Sequence, residues 1–122
     1  MKAILSIKPE YAMKILAGEK LYEYRKTIFR RPVEKVYIYA SSPICKIVGE
    51  FRISDILEDS PNKLWTVTNA ASGVTRSFYF RYFKGKSKAF AIKVKDVIAY
   101  PTPINPNVFR EDFKAPQSFV YI

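Results

Sequence analysis

Gly18-Glu19-Lys20-Leu21-Tyr22-Glu23-Tyr24-Arg25 lies where a first helix hands over to a strand, and the rest of the chain is read outward from it. Upstream, residues 3–7 (AILSI) form a short apolar run that predicts a buried strand. Pro9 follows at the first position of a helix, where its missing N–H costs nothing. Across residues 9–17, Ala12, Ile15 and Leu16 recur at helical spacing, and Glu10 with Lys14 makes an i,i+4 pair on the outer side. Gly18 suits the left-handed position that ends such a helix. Residues 21–27 then alternate, so Leu21, Glu23 and Arg25 share one strand face while Tyr22 and Tyr24 take the other. Parity sets a condition. Lys20 joins Glu23 and Arg25 only if it still sits in the turn after Gly18, because inside the strand it would point away from them.

Downstream, Arg30-Arg31-Pro32 marks a basic loop, and residues 33–40 predict a strand with Val36 and Ile38 on one face and Tyr37 and Tyr39 on the other. Ser41-Ser42-Pro43 is a turn. Residues 44–56 predict a long half-buried strand, with Ile47, Gly49, Phe51 and Ile53 facing opposite to Lys46, Val48, Glu50 and Arg52. Gly49 either bends it or admits a close backbone neighbour. Ser60-Pro61 caps a short helix carrying Leu64, Trp65 and Thr68, which residues 69–73 break. In residues 75–84, Phe78, Tyr79, Tyr82 and Phe83 have helical spacing although their types favour strand; helix is predicted, stopped by Gly85.

Residues 88–100 return to alternation, with Phe90, Ile92 and Val94 opposite Ala89, Ala91, Lys93 and Lys95, and predict a central strand. Pro101, Pro103 and Pro106 predict a proline-punctuated crossing, and residues 117–122 a closing strand. About six strands with two or three short helices fit an α+β domain built on a mixed β-barrel, with the helices at its mouth. There is no internal repeat and no low-complexity segment.

At 122 residues, 48% of them hydrophobic, the chain predicts one domain spanning 1–122 with a real core. The absence of histidine removes the usual neutral-pH base, any His-based triad and any His-ligated zinc site. Cys45 is the only cysteine, so no internal disulfide or Cys-rich metal site is possible. Residues 1–7 are interrupted by Lys8, Pro9 and Glu10 well short of a signal-peptide core, and no run approaches transmembrane length. A soluble, cytoplasmic protein without cofactor or metal, and without membrane contact, is the expectation. Glu58-Asp59 and Glu111-Asp112 are adjacent carboxylates, but side chains at i and i+1 rarely face one cation, and they read as solvated loop charge.

The formal charge is +10, and a surplus of this size favours polyanions. It is concentrated: residues 60–95 hold no acid, yet they contain Lys63, Arg76, Arg81, Lys84, Lys86, Lys88, Lys93 and Lys95. Interleaved with Tyr79, Tyr82 and Phe90, such a stretch offers cations to a phosphate backbone and rings to bases. The competing reading places most of these rings in the core and the lysines on a solvated face. In the opening motif, Lys20 is the one candidate general base or nucleophile, a role that needs its pKa lowered by burial or by Arg25 and that a close Glu23 would oppose. Recognition is equally open: cations meet phosphate or carbonyl, and a carboxylate accepts from a base amine.

Gly18, Lys20, Glu23 and Arg25 match G-x-K-x-x-E-x-R, and the chain thereby resembles the ASCH (activating signal cointegrator homology) domain family of the PUA-like superfamily. The order of elements extends the resemblance to essentially the whole chain and to the small stand-alone archaeal and bacterial members. It implies a PUA-like barrel with a cleft between helix and barrel, lined by the motif and proposed in the family to bind RNA. One branch of the family hydrolyses N4-acetylcytidine with a lysine at the Lys20 position, a threonine at the Glu23 position and a glutamate from the second-helix region. Here Glu23 replaces the threonine, and the nearest acids, Glu58 and Asp59, precede the helix. Another branch is a metal-dependent ribonuclease.

The function expected from residues and resemblance together is RNA or nucleotide binding, with candidate ligand contacts Lys8, Lys20, Glu23, Arg25, Arg76, Arg81, Lys84, Lys86 and Lys88 and with Gly18 structural. The alternatives are a hydrolase on modified nucleosides or RNA with Lys20 as catalytic base, and a regulatory protein-interaction module acting in transcription or translation.

Overall fold

The computed structural model describes all residues, 1–122. Its strands are β1 (Lys2–Ile7), β2 (Tyr22–Arg25), β3 (Lys35–Ala40), β4 (Lys46–Asp59), β5 (Ala89–Ile104) and β6 (Phe119–Tyr121), and its helices are α1 (Pro9–Leu16), α2 (Pro61–Thr68) and α3 (Arg76–Tyr82). The strands form one sheet in the order β2-β5-β4-β3-β1-β6, parallel only between β1 and β3. The sheet is curled into a half-barrel, so the α+β mixed barrel read from the sequence is present with two free edges, β2 and β6.

Three apolar clusters hold it. The largest packs Ala12 and Ile15 of α1 onto Leu5, Ile7, Val36, Ile38, Phe51, Ile92 and Val94. A second gathers Tyr24, Ala89 and Ala91 under Leu64 of α2 and Tyr79 of α3, with Phe83 just beyond it. The third, Ile4, Tyr37, Tyr39 and Ile47, is covered by the C-terminal segment through Phe109 and Phe113. The alternation of β3 and β5 is therefore as the sequence predicts: Val36 and Ile38 face α1 while Tyr37 and Tyr39 face away, and Ile92 and Val94 lie opposite Ala89 and Ala91.

In β4 the predicted faces fail at one point. Ile47 belongs with Tyr37 and Tyr39, whereas Val48 joins Phe51. Against β3 the ladder slips by one residue, Ile38 facing Gly49 and Tyr39 facing Ile47 with Val48 bulged between them, and such a slip exchanges the faces on either side of it. Gly49 also allows the close approach anticipated for it, since a Cβ there would stand 2.5 Å from the Ile98 carbonyl oxygen and 2.6 Å from Leu16 Cδ2. Pro101 and Pro103 fall inside β5 rather than in a crossing. Between the pairs Ile47↔Ile104 and Gly49↔Ala99 the chain bulges away from its partner, so neither proline has to supply a ladder N–H.

Candidate functional site

Helix α1 ends as its sequence requires. Gly18 takes the left-handed conformation (φ +78°), its N–H bonds the Ile15 carbonyl at 3.1 Å, and the Glu19 N–H bonds Lys14 O at 3.0 Å. This Schellman turn reverses the chain. Lys20 follows in the turn, its N–H also on Lys14 O at 3.1 Å, and β2 starts only at Tyr22. Lys20 therefore reaches the side of β2 that carries Glu23 and Arg25.

The three charges meet in the interior, all of them buried. Lys20 is 1% exposed; its Nζ donates to the Ser72 carbonyl at 2.6 Å, lies 3.9 Å from Glu23 Oε1, and sits 4.9 Å and 5.6 Å from the ring centres of Tyr24 and Tyr11. Burial pushes this ammonium down to about 8, with Glu23 opposing and the Lys14 and Arg25 cations adding to the shift. The stem of Lys20 runs against Gly73 (φ +69°), where a Cβ would come within 2.6 to 2.8 Å of it. Lys14 Nζ donates to the Gly73 carbonyl at 3.2 Å, so two lysines of the α1 region tie down the segment between α2 and α3.

Arg25 NH2 is 3.1 Å from Glu23 Oε2 and donates to the Ser6 carbonyl at 2.8 Å, while NH1 donates to Ser118 Oγ at 3.2 Å. Its buried Nε has no partner, an unpaired donor of the kind that native interiors rarely leave. Tyr24, bonded to Thr68 Oγ1 at 2.7 Å, is pushed up to about 12 by burial, against the effect of that hydrogen bond.

These groups floor a cavity of about 490 Å³, walled by Ile7, Tyr11, Tyr39, Val74, Phe78 and Tyr82 and rimmed by Lys8, Cys45 and Gln117. Glu23 is its one carboxylate. Helix α3 serves two purposes. Tyr79 and Phe83 are core, as helical spacing implies, while Phe78 and Tyr82, one turn apart with rings nearly parallel at 14°, form the cavity wall. A second cavity of about 460 Å³ adjoins the first and is lined by Arg25, Lys26, Thr27, Tyr82, Lys86, Gln117 and Ser118.

The candidate residues read from the sequence thus divide. Lys8, Lys20, Glu23 and Arg25 line the larger cavity and Lys86 the smaller one. Arg76, Arg81, Lys84 and Lys88 line neither: Arg76 stacks 4.8 Å from the Phe80 ring centre, Arg81 lies 6.0 Å from that of Phe78, and Lys88 pairs with Glu58 at 3.4 Å. Glu58 and Asp59 end β4, outside the cavity. No group of three His, Cys, Asp or Glu side chains is placed to hold a metal ion, and no helix is long and apolar enough to cross a membrane. Sequence reasoning does not single out Tyr11, Lys26, Phe78 or Gln117 as ligand contacts. For Phe78 the available signal is its i,i+4 partner Tyr82, offset by one residue from the core pair Tyr79 and Phe83.

A curled half-barrel with a charged pocket between its first helix and its sheet is the architecture of a PUA-like domain. The family model described as "ASCH domain" matches residues 5–98, and the chain belongs to that family. It is 29% identical over 125 residues to the "ASCH domain-containing ribonuclease" of Zymomonas mobilis, an alignment covering 99% of this chain and 84% of the relative. The crystal structure of ASCH from Zymomonas mobilis superposes with a TM-score of 0.92 at 28% identity, covering 99% of this chain and 87% of that one. The N-terminal domain of Staphylothermus marinus McrB shares the fold at 15% identity, with a TM-score of 0.61 and coverage of 99% and 87%.

Proposed function

We propose that this chain binds RNA and takes one nucleotide into the larger cavity. The observation that carries the reading is an aromatic-walled cavity of about 490 Å³ whose floor is the buried Lys20, Glu23 and Arg25 cluster. Tyr11, Phe78 and Tyr82 offer faces to a planar base, a contact worth about 1–3 kcal/mol per base. Glu23 accepts from a ring N–H or exocyclic amine, and Lys20 donates to a carbonyl of the same base. An unpaired strand fits this geometry because its bases are free to turn out of the stack. The charge of +10 supplies attraction to the backbone, and the ribonuclease name of the Zymomonas mobilis relative agrees with an RNA ligand.

Binding of labelled single-stranded RNA at low salt tests it, with Lys20→Met and Glu23→Gln as variants. Each substitution should weaken binding by roughly tenfold or more, the loss expected for a charge-assisted hydrogen bond. Absence of RNA binding at about 50 mM salt, or equal binding by folded variants, rejects the reading.

A second reading, RNA cleavage, is favoured by one observation besides the relative's name. With its ammonium brought down to about 8, Lys20 holds a fraction of neutral amine near pH 7 that could take the proton of a ribose 2′-hydroxyl. Attack of that oxygen on the adjacent phosphorus would expel the 5′-oxygen of the next nucleotide, which leaves as a hydroxyl on taking a proton back from the Lys20 ammonium so formed or from water, and would leave a 2′,3′-cyclic phosphate. Incubation of RNA with the protein decides it: cyclic-phosphate ends that disappear in Lys20→Met support cleavage, and intact RNA removes it.

A further inference from the structure

The two cavities share a wall and differ in chemistry. Arg25, Tyr82 and Gln117 line both. The larger is walled by rings and aliphatic groups; the smaller adds only Lys26, Thr27, Lys86 and Ser118, each of which carries a polar hydrogen to donate. No carboxylate faces it. Neither Lys26 nor Lys86 lies within ion-pair distance of an acid anywhere in the chain, whereas Lys35 and Lys88 are both paired. The Lys26 ammonium stands 4.6 Å from the centre of the Tyr82 ring, the same ring that helps wall the larger cavity. Arg25 lies at the junction, fixed by Ser6 and Ser118 and with its Nε still unpartnered.

We propose that the smaller cavity is a phosphate subsite, which holds the phosphate borne by the nucleotide whose base fills the larger one. The inference rests on the nucleotide-binding reading and adds an address for the charge. Lys26 and Lys86 supply two unpaired cations, and the hydroxyls of Thr27 and Ser118 supply neutral donors beside them. The two cavities adjoin across Arg25, Tyr82 and Gln117, so a base in the larger one brings the phosphate of the same nucleotide toward the smaller one. The strand consequently leaves the base cavity between the end of β2 and the turn after α3.

Calorimetric or NMR titration of the four ribonucleosides, their 5′- and 3′-monophosphates and inorganic phosphate tests this, using the full chain and a Lys26→Gln/Lys86→Gln variant. One of the two phosphate isomers should bind about tenfold or more tightly than its parent nucleoside, and the isomer that gains tells which side of the ribose enters the subsite. In the variant that ratio should fall below about threefold, and the salt slope for a short RNA should become shallower by about 0.7 for each phosphate that the lysines no longer neutralise. Nucleoside binding without a gain from either phosphate, or a gain that survives in the folded variant, overturns the subsite and leaves base binding standing. Failure of every nucleoside, nucleotide and RNA to bind overturns both.

Discussion

The Arg25 guanidinium donates to the Ser6 main-chain carbonyl at 2.8 Å, although β2 is one edge of the sheet and β1 lies next to the opposite edge, β6. No strand ladder joins those edges, so this side chain, with its second bond to Ser118 Oγ, spans the opening of the half-barrel. Arg25→Lys should therefore lower stability by about 1.5–3 kcal/mol, because an ammonium lacks the fork that reaches both acceptors. Urea unfolding checks this, and an unchanged midpoint would show that the bridge does not hold the curl.

Glu23 depends on the same guanidinium, which approaches it to 3.1 Å. Arg25→Ala leaves a buried carboxylate with only Lys20 at 3.9 Å and should cost about 3–5 kcal/mol. Adding Glu23→Gln removes the stranded charge and should recover part of the loss. A double-mutant cycle with no recovery would mean that Arg25 acts through Ser6 and Ser118 alone.

The local parts of this architecture are legible in the sequence. Pro9 and Gly18 bracket α1 because backbone chemistry at those two positions is restrictive, and strand parity makes a turn position for Lys20 the condition on which it can meet Glu23 and Arg25. What escapes the sequence depends on partners far along the chain. Ser72 and Gly73 hold Lys20 and Lys14 through main-chain carbonyls, which leave no residue-type signature, across separations of 52 and 59 residues. Alternation assigns Ile47 to the wrong face because a bulge has no sequence marker beyond a glycine, and Gly49 is compatible with either a bend or a close contact. The basic stretch of residues 76–95 reads as one surface, but helix geometry and the Glu58 pairing send most of it away from the cavity.

At Gly49 the space is closed by backbone. A Cβ would meet the Ile98 carbonyl oxygen at 2.5 Å as well as Leu16 Cδ2 at 2.6 Å. Gly49→Ala should destabilise by about 1–3 kcal/mol, and trimming Leu16 should not restore it, since the carbonyl cannot withdraw without disturbing the β4–β5 ladder. Full rescue by Leu16→Ala in an unfolding titration would place the clash on the side chain instead.

Gly18 and Gly73 both adopt left-handed backbone, yet they predict different outcomes. Nothing lies within 4 Å of a Cβ at Gly18, so Gly18→Ala should cost only the conformational strain, about 1–2 kcal/mol, and leave the Lys20 titration in place. Gly73→Ala adds a Cβ only 2.6 to 2.8 Å from the Lys20 stem and should drive that side chain toward solvent. NMR observation of the Lys20 ammonium or its neighbouring carbons reads the difference: in Gly73→Ala its pKa should move up from about 8 toward 10.5. Identical titrations in both variants would show that Gly73 does not shape the pocket.

The buried ammonium also sets how stability varies with pH. The unfolded chain retains the Lys20 proton to about 10.5, whereas the folded chain releases it near 8. Between those values the unfolded state binds more protons, so unfolding free energy rises with pH, by up to roughly 1.4 kcal/mol per pH unit. Below pH 8 the penalty of the buried charge is fully present. Above pH 10 the tyrosines reverse the trend: burial pushes Tyr24 up to about 12 and Tyr79 and Tyr100 upward as well, so the unfolded chain loses those protons first and stability falls. Chemical unfolding at pH 7 to 10 should show a rising limb from 8 to 10, and Lys20→Met, which leaves Glu23 its Arg25 partner, should flatten it. Equal slopes for the two proteins would mean that Lys20 is solvated in the folded state and that the pocket floor is open to water.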